Sequence, residues 1–423
     1  MDRRYASLVL VASLSAVSQA QEFHANDLFV SCGGSAQIVT LTLGAPPMPL
    51  TLGASSIAAQ EPGPLAFGPE GWLYTVVHGS VQAFDRAGAT MLQIDVAAAP
   101  LTGLAFGRGG DLYVLSGADG SISRIRTAAG QSTVDVTFAV PGYECRGLAM
   151  SAEGTLYVGA RGKLIEVDTV GRVLREIPLP NVDDLPGALA FGRGGHLYVA
   201  MMRAISWDGG VLENLVYEFA NATHVGTLGD NSLLQRASAI AIGPDGAIYV
   251  ASWLTNRIHV FDPSSSSEVW SESIPGGQFP AGLAFAPHRI EGKLSGSFTS
   301  ATGPMGKLAE RVVVSVTPGS NTVMIDFPDA HKSTLGFDDR FAQEALVFHG
   351  YEASTVLPKA KKRAFVGVEL GDVVSGSATL SALASGKLDA TGAFRMKSIV
   401  GTVGRGGTGG GWHATLKAAK RLN

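Results

Sequence analysis

Cysteine is nearly absent: the 423 residues contain two, Cys32 and Cys145. A disulfide framework is therefore excluded, and neither cysteine stands in a CxxC pair or in a metal-type Cys/His spacing. Charge is also sparse, at 16% Asp, Glu, Lys and Arg, with a net charge of −4 and a pI near 6.1. That balance argues against nucleic acid as a partner. Beyond the first 20 residues no apolar run approaches the 18 or so residues of a membrane-spanning helix, so no span is expected in the mature chain. What is plentiful is glycine, 54 residues, within a composition that is 46% hydrophobic. Many turns between short apolar runs point to an all-β protein.

The first 20 residues have the layout of a secretory signal. Arg3 and Arg4 precede the apolar stretch Ala6–Val17, and Ser18-Gln19-Ala20 is a small-x-small cleavage site. The chain is expected to be secreted, periplasmic or held at the cell surface after cleavage near Ala20.

One sentence is then spelled repeatedly. Its clearest copy is Ser238 to Pro263, SAIAIGPDGAIYVASWLTNRIHVFDP, in which three short apolar runs are separated by turn residues. The first run recurs at Pro64–Phe67, Gly103–Phe106, Gly147–Met150, Ala188–Phe191, Ala239–Ile242 and Gly282–Phe285, at intervals of 39, 44, 41, 51 and 43 residues. The second recurs as Trp72-Leu73-Tyr74, Leu112-Tyr113-Val114, Leu156-Tyr157-Val158, Leu197-Tyr198-Val199 and Ile248-Tyr249-Val250. Such intervals are those of propeller blades. One four-stranded unit cannot bury both of its faces, whereas a ring of them can, and a ring leaves only short edges. The sixth copy stops after its first strand. Asp27–Val30 and Gln37–Leu41 supply its second and third strands from the other end of the chain, predicting six blades closed by N-terminal strands.

IYVASWLTNRIHVFD resembles the NHL repeat, and residues 25–288 are similar to the six-bladed NHL-type and gluconolactonase-like (SMP-30) propellers. The gluconolactonase resemblance implies a divalent cation, Ca or Mg, held at the channel mouth by Glu, Asn and Asp side chains. Several of these stand just before the innermost-strand glycine. The matching positions here are Gly63, Thr102, Arg146, Gly187, Ser238 and Ala281, and none is a carboxylate or carboxamide. No metal, cofactor or catalytic residue is therefore expected, and the enzyme question leans to no. A relocated metal site would have to draw on Asp119, Asn181, Asp183 or Asp184, which read equally as turn carboxylates.

What the repeat register does place on one face is a mixed polar and aromatic set: His78, Asp119, Arg146, Arg161, Trp207, Trp253 and Asn256. These are the candidate ligand-binding residues, suited to a protein, peptide or glycan. Asn256 also reads as a turn-ordering residue, and Glu144 is a candidate partner of Arg146. In blade four, Met201–Asn214 is an insertion that reads either as a recognition loop or as a packed lid. Cys32 and Cys145 fall on opposite blades, too far apart for the roughly 7 Å that a bridge allows, so no bridge is expected although export would permit one.

Residues 289–423 lose the repeat. Strand-like runs there, including Val312–Val316, Thr322–Phe327, Ala345–Phe348, Phe365–Leu370, Ser377–Leu380, Gly392–Met396 and Trp412–Leu416, predict a second antiparallel β domain, sandwich or barrel-like. Residues 21–304 carry 15 Lys and Arg against 25 Asp and Glu, net −10, while residues 305–423 carry 15 against 10, net +5. Lys359, Lys361, Lys362 and Arg363 form the densest basic run, either a contact for an anionic surface polymer or a solvated loop. Gly404–Gly409 fits GxGxxG, but it leads into a strand-like run rather than a helix and reads as a hairpin loop.

The leading functional expectation is a non-catalytic recognition or scaffold protein acting through the propeller face. The alternatives are a lactonase-like metal-dependent hydrolase with a relocated site, and a cell-surface or matrix protein docked through the C-terminal domain.

Overall fold

The computed structural model describes most of residues 23–300 and, beyond them, the strands of a second sheet as far as residue 421. Residues 1–22, 43–50, 203–214, 327–344, 350–377 and several shorter stretches lie outside the described residues. The expected signal segment, Trp207 with most of its insertion, the Phe365–Leu370 run and the Lys359–Arg363 run all fall there.

Six four-stranded antiparallel sheets form the propeller. Blade one comprises Pro62–Phe67, Leu73–Val77, Ser80–Phe84 and Thr90–Asp95. Blade two comprises Leu101–Phe106, Leu112–Ser116, Ser121–Ala128 and Gln131–Ala139. Blade three runs through Arg146–Met150, Leu156–Ala160, Lys163–Val167 and Val173–Pro178. Blade four runs through Pro186–Phe191, Leu197–Met201, Val216–Ala220 and Thr223–Leu228. Blade five is Ala237–Ile242, Ile248–Ser252, Arg257–Asp262 and Ser267–Ser273.

Blade six joins the two ends of the propeller. Its innermost strand, Pro280–Phe285, pairs with Leu28–Cys32, which is followed by Gln37–Thr42 and Thr51–Ala58. Leu28 lies opposite Phe285 and Val30 opposite Leu283, so the expected closure is realised. The fourth strand, Thr51–Ala58, carried no period-two signal and was not anticipated. Each innermost strand touches the next around the ring, and the sixth touches the first.

The repeated residues have repeated physical jobs. In blades one to five the turn after the innermost strand ends in a glycine in the left-handed region: Gly71, Gly110, Gly154, Gly195 and Gly246 have φ between +77° and +88°. A side chain there is strained, which explains the invariant last letter of the turn. The second-strand tyrosine then bridges blades. Tyr74, Tyr157 and Tyr249 pack edge-on against Phe106, Phe191 and Phe285 of the following blade, with centroids 5.1, 5.2 and 4.9 Å apart. The apolar cores therefore lie between blades, as in the cluster that joins Tyr198 and Val216 of blade four to Ile240, Ile248 and Phe261 of blade five.

Cys32 is the last residue of its strand rather than a loop residue, and Cys145 directly precedes blade three. Both are free and fully buried. Burial pushes the Cys32 thiol up to about 11 and raises that of Cys145 as well. An aromatic disulfide reagent should thus find no reactive thiol at pH 8 in the folded protein and two in 6 M guanidinium. Fewer than two thiols after denaturation would contradict this state.

Beyond the propeller, a seven-stranded antiparallel sheet has the order Ala345–His349, Thr322–Asp326, Gly303–Thr317, His288–Ser300, Thr408–Arg421, Phe394–Arg405, Ala378–Leu388. How its faces are covered falls outside the described residues. Arg405 pairs with Thr408, so the GxGxxG segment is the tip of a hairpin with no helix after it. The root of this sheet meets blade one: an Arg289 Nη2 donates to the Glu70 carbonyl, and the buried Ser315 hydroxyl donates to the Pro69 carbonyl at 3.3 Å. Both contacts fall on the turn between the first and second strands, on the side of the propeller opposite the expected binding face.

Candidate functional site

The entrance face is formed by the starts of the six innermost strands and by the loops between second and third strands. The residue before the third strand is a recurring anchor. The carbonyls of Gly79, Gly120, Gly162, Asn256 and Ala36 accept the N–H of Val96, Val140, Leu179, Ile274 and Ala59, which follow the fourth strands. His78 thus shares the loop of Asn256 but sits one residue earlier in register. It has φ +55°, and its carbonyl accepts the Leu101 N–H at 3.2 Å. Asn256 has φ +53°, and its side-chain oxygen accepts the Phe279 N–H at 2.7 Å, so it orders the turn.

Two residues before the channel-mouth ring lies a rim. Glu144, Arg236 and Phe279 occupy this position in blades three, five and six, with φ of +52°, +59° and +55°. Left-handed non-glycine residues are uncommon, and three at one structural position mark a rim whose side chains are held by their surroundings. Glu144 takes Arg161, whose Nε donates to it at 2.5 Å, while Asp183 lies 3.9 Å from the same guanidinium. The partner of Glu144 is therefore Arg161 and not Arg146. In blade five the equivalent pair is Arg236 and Trp253. The guanidinium carbon sits 5.0 Å from the indole centroid. The indole also stacks on Phe279 at 4.4 Å and 25°. Phe279 in turn lies on Gly34, where an added Cβ would come within 2.3 Å of the ring. Trp253 therefore contacts both Arg236 and Phe279.

Three of the four acids and amides considered for a relocated metal, Asp119, Asn181 and Asp184, have their side chains engaged in turns. Asp119 accepts the Ser121 N–H at 3.0 Å and its hydroxyl at 2.8 Å, which holds the Asp119 carboxyl below its ordinary range. Asn181 accepts the Asp183 N–H at 3.0 Å. The buried Asp184 accepts the Asn181 N–H at 3.0 Å and the Tyr217 hydroxyl at 2.9 Å. At the ring itself, the Thr102 hydroxyl donates to the Cys145 carbonyl at 3.0 Å and that of Ser238 to the Pro280 carbonyl at 2.6 Å, lacing adjacent blades. A ring of small residues plus one arginine does not fit a hard divalent cation. Among the described residues no three His, Cys, Asp or Glu side chains cluster as metal ligands.

The other face carries an open groove of about 580 Å³ at the seam of blades four and five, lined by His196, Tyr198, Glu218, Asp262, Val260 and Val269 among others. His196 Nδ1 lies 2.6 Å from Glu218, which also accepts the Tyr198 hydroxyl at 2.9 Å. Tyrosine hydroxyls meeting a charged neighbour recur at Tyr74 with Glu70 and Tyr157 with Arg175, so this contact belongs to the blade plan.

No family model matches the chain, and no curated protein matches it. Among solved structures, a protein of unknown function from Bacteroides caccae is 14% identical, with a TM-score of 0.49 over 62% of this chain and 98% of its own. A nidogen/laminin complex is 18% identical, with a TM-score of 0.49 and the same shares. Virginiamycin B lyase from Staphylococcus aureus is 14% identical, with a TM-score of 0.37 over 83% of this chain and 94% of its own. Identities this low speak to fold alone, and the propeller assignment rests on the strand pairing above.

Of the sequence-derived set, Arg146, Arg161, Trp253, Asn256 and His78 lie around the entrance, and Asp119 lies in a loop on the same face. The sequence reasoning missed Arg236 and Phe279. Their signal was available only as register: each stands two residues before a ring position.

Proposed function

We propose that this chain is an exported, non-catalytic recognition protein that binds a protein or peptide on the propeller entrance. The observation that carries the reading is the rim of Glu144, Arg236 and Phe279, built from left-handed backbone and locked by an ion pair and an aromatic stack. Preformed charged and apolar groups around a concave mouth suit recognition, because little ordering entropy remains to be lost on binding. Val182, Leu254 and Phe279 are exposed on the same face, adding apolar contact area. No nucleophile paired with a base lies there among the described residues, and the ring does not fit a divalent cation.

A photo-crosslinking amino acid at Val182 tests this, with Val170 on the opposite face as control. The two valines are 77% and 73% exposed, so reagent access is matched. Incubated with the extracellular fraction of the native host, the Val182 variant should give a discrete adduct that excess wild-type protein competes away. Adducts of equal yield at both positions, or none at Val182, would reject the entrance as a binding face.

A further inference from the structure

The second-strand tyrosines of blades one to five stand in register with a fixed pair of positions. Tyr74, Tyr113, Tyr157, Tyr198 and Tyr249 lie opposite Ala83, Arg124, Glu166, Glu218 and Val260 of the third strands. Those in turn lie opposite Leu92, Val136, Arg175, Gly226 and Trp270 of the fourth strands. Blades one and five fill the pair with apolar side chains. Blades two and three satisfy a charge within the blade. Arg124 donates to Asp135, the neighbour of Val136, at 2.9 and 2.8 Å. Arg175 donates to Glu166 at 3.1 and 2.7 Å, and to the Tyr157 hydroxyl at 3.2 Å.

Blade four repeats the glutamate but has glycine where blade three has its arginine. The two carboxylates are equally withdrawn from water, their side chains 14% exposed for Glu166 and 12% for Glu218. Glu218 Oε1 lies 2.6 Å from His196 Nδ1 and accepts the Tyr198 hydroxyl at 2.9 Å. Oε2 meets no donor among the described residues, whether or not His196 carries a second proton. It faces the fourth strand, where a Cβ added at Gly226 would lie 3.1 Å away. Glu218 lines the groove of about 580 Å³ on the face opposite the entrance. No lysine or arginine lines that groove among the described residues, and Asp262 adds a second carboxylate.

A carboxylate oxygen held away from water is stabilised by a charged donor within hydrogen-bond reach and is costly without one. We propose that this groove binds an alkylguanidinium group, which takes the place at Glu218 that Arg175 takes at Glu166. The site is separate from the entrance and does not depend on the reading given for it. A guanidinium suits the position better than an ammonium, because its planar fork can reach the carboxylate and the tyrosine hydroxyl together, as in blade three. Val260, Pro263 and Val269 supply apolar wall for the methylene stem.

Isothermal titration calorimetry on the full chain tests the site with agmatine and with acetylglycylarginylglycine amide. At least one should bind, and the tighter names the source, a free guanidino compound or an arginine side chain. The citrulline version of the peptide, similar in shape but uncharged, should bind at least about tenfold more weakly. Glu218→Gln should weaken binding of the better probe by at least about tenfold. Glu166→Gln, in the blade whose site Arg175 already fills, should leave binding unchanged. Gly226→Arg supplies the cation from within the chain and should bind neither probe. It should also melt about 2 °C above Gly226→Gln, and the difference should vanish when Glu218→Gln is added to both. The site is overturned by failure of both probes, by equal binding of the citrulline peptide, or by an equal loss in Glu166→Gln. Unchanged binding in Gly226→Arg, or a melting point no higher than that of Gly226→Gln, would overturn it as well.

Discussion

Replacing Phe29 by alanine should lower the unfolding free energy by about 3–5 kcal/mol, the range for emptying a buried aromatic site. Phe29 is 1% exposed and lies on the strand that closes the ring, opposite Ala284. Its ring meets Phe23 at 4.7 Å and Phe67 of blade one at 5.4 Å, both edge-on. The side chain thus packs the closing strand of blade six against blade one. Successive blades are joined covalently, whereas inside blade six the two chain ends of the propeller are joined by packing and one strand ladder. Guanidinium denaturation followed by circular dichroism measures the effect. Val225→Ala, at an exposed outer-strand position, is the control and should change stability by less than about 0.5 kcal/mol. A Phe29→Ala loss below about 1 kcal/mol would mean that closure does not depend on this aromatic triad.

Alkali should unfold the propeller cooperatively between pH 10 and 12. Burial raises the pKa of Tyr74, Tyr113, Tyr157 and Tyr198, and the nearby carboxylates of Glu70, Asp111, Glu166 and Glu218 raise each further. Tyr157 is pushed up to about 12. In the unfolded chain all four titrate near 10. The native state therefore holds these protons more tightly than the unfolded state does. The stabilisation is complete below pH 10 and is lost as pH rises through the folded values. Each such group costs about 1.4 kcal/mol per pH unit within its window, so four acting together exceed a typical domain stability. The measurement is phenolate absorbance at 295 nm alongside near-ultraviolet circular dichroism. Phenolate should appear in one step with loss of tertiary signal. Gradual titration centred at pH 10, with the tertiary signal intact, would show that the inter-blade tyrosines are not sequestered as described.

Much of the fold was legible because propeller physics is local and repeated. A left-handed glycine after the innermost strand and a tyrosine on the second strand recur in five of the six blades, so weak signals reinforce one another. The closure was legible for a related reason. A blade with one strand at residue 282 and two strands near residue 30 can satisfy its edges only by joining them. The strand Thr51–Ala58 escaped because an outermost strand buries little and needs no apolar alternation.

The candidate site divides along the same line. Ring residues sit at a fixed offset in the repeat, so Arg146 and the absence of metal ligands at the gluconolactonase positions could be read directly. Composition and repeat register by themselves determined an all-β ring of six blades, its closure and the small-residue character of its mouth. Only the tertiary structure decided the pairings: Glu144 with Arg161, Arg236 over Trp253, and Phe279 against Gly34. Each of those contacts joins two loops of one blade through a residue held in left-handed backbone, so the partners depend on where the loops turn. A repeat specifies the positions that face each other, but ion pairing and stacking among those that meet decide which side chains hold one another.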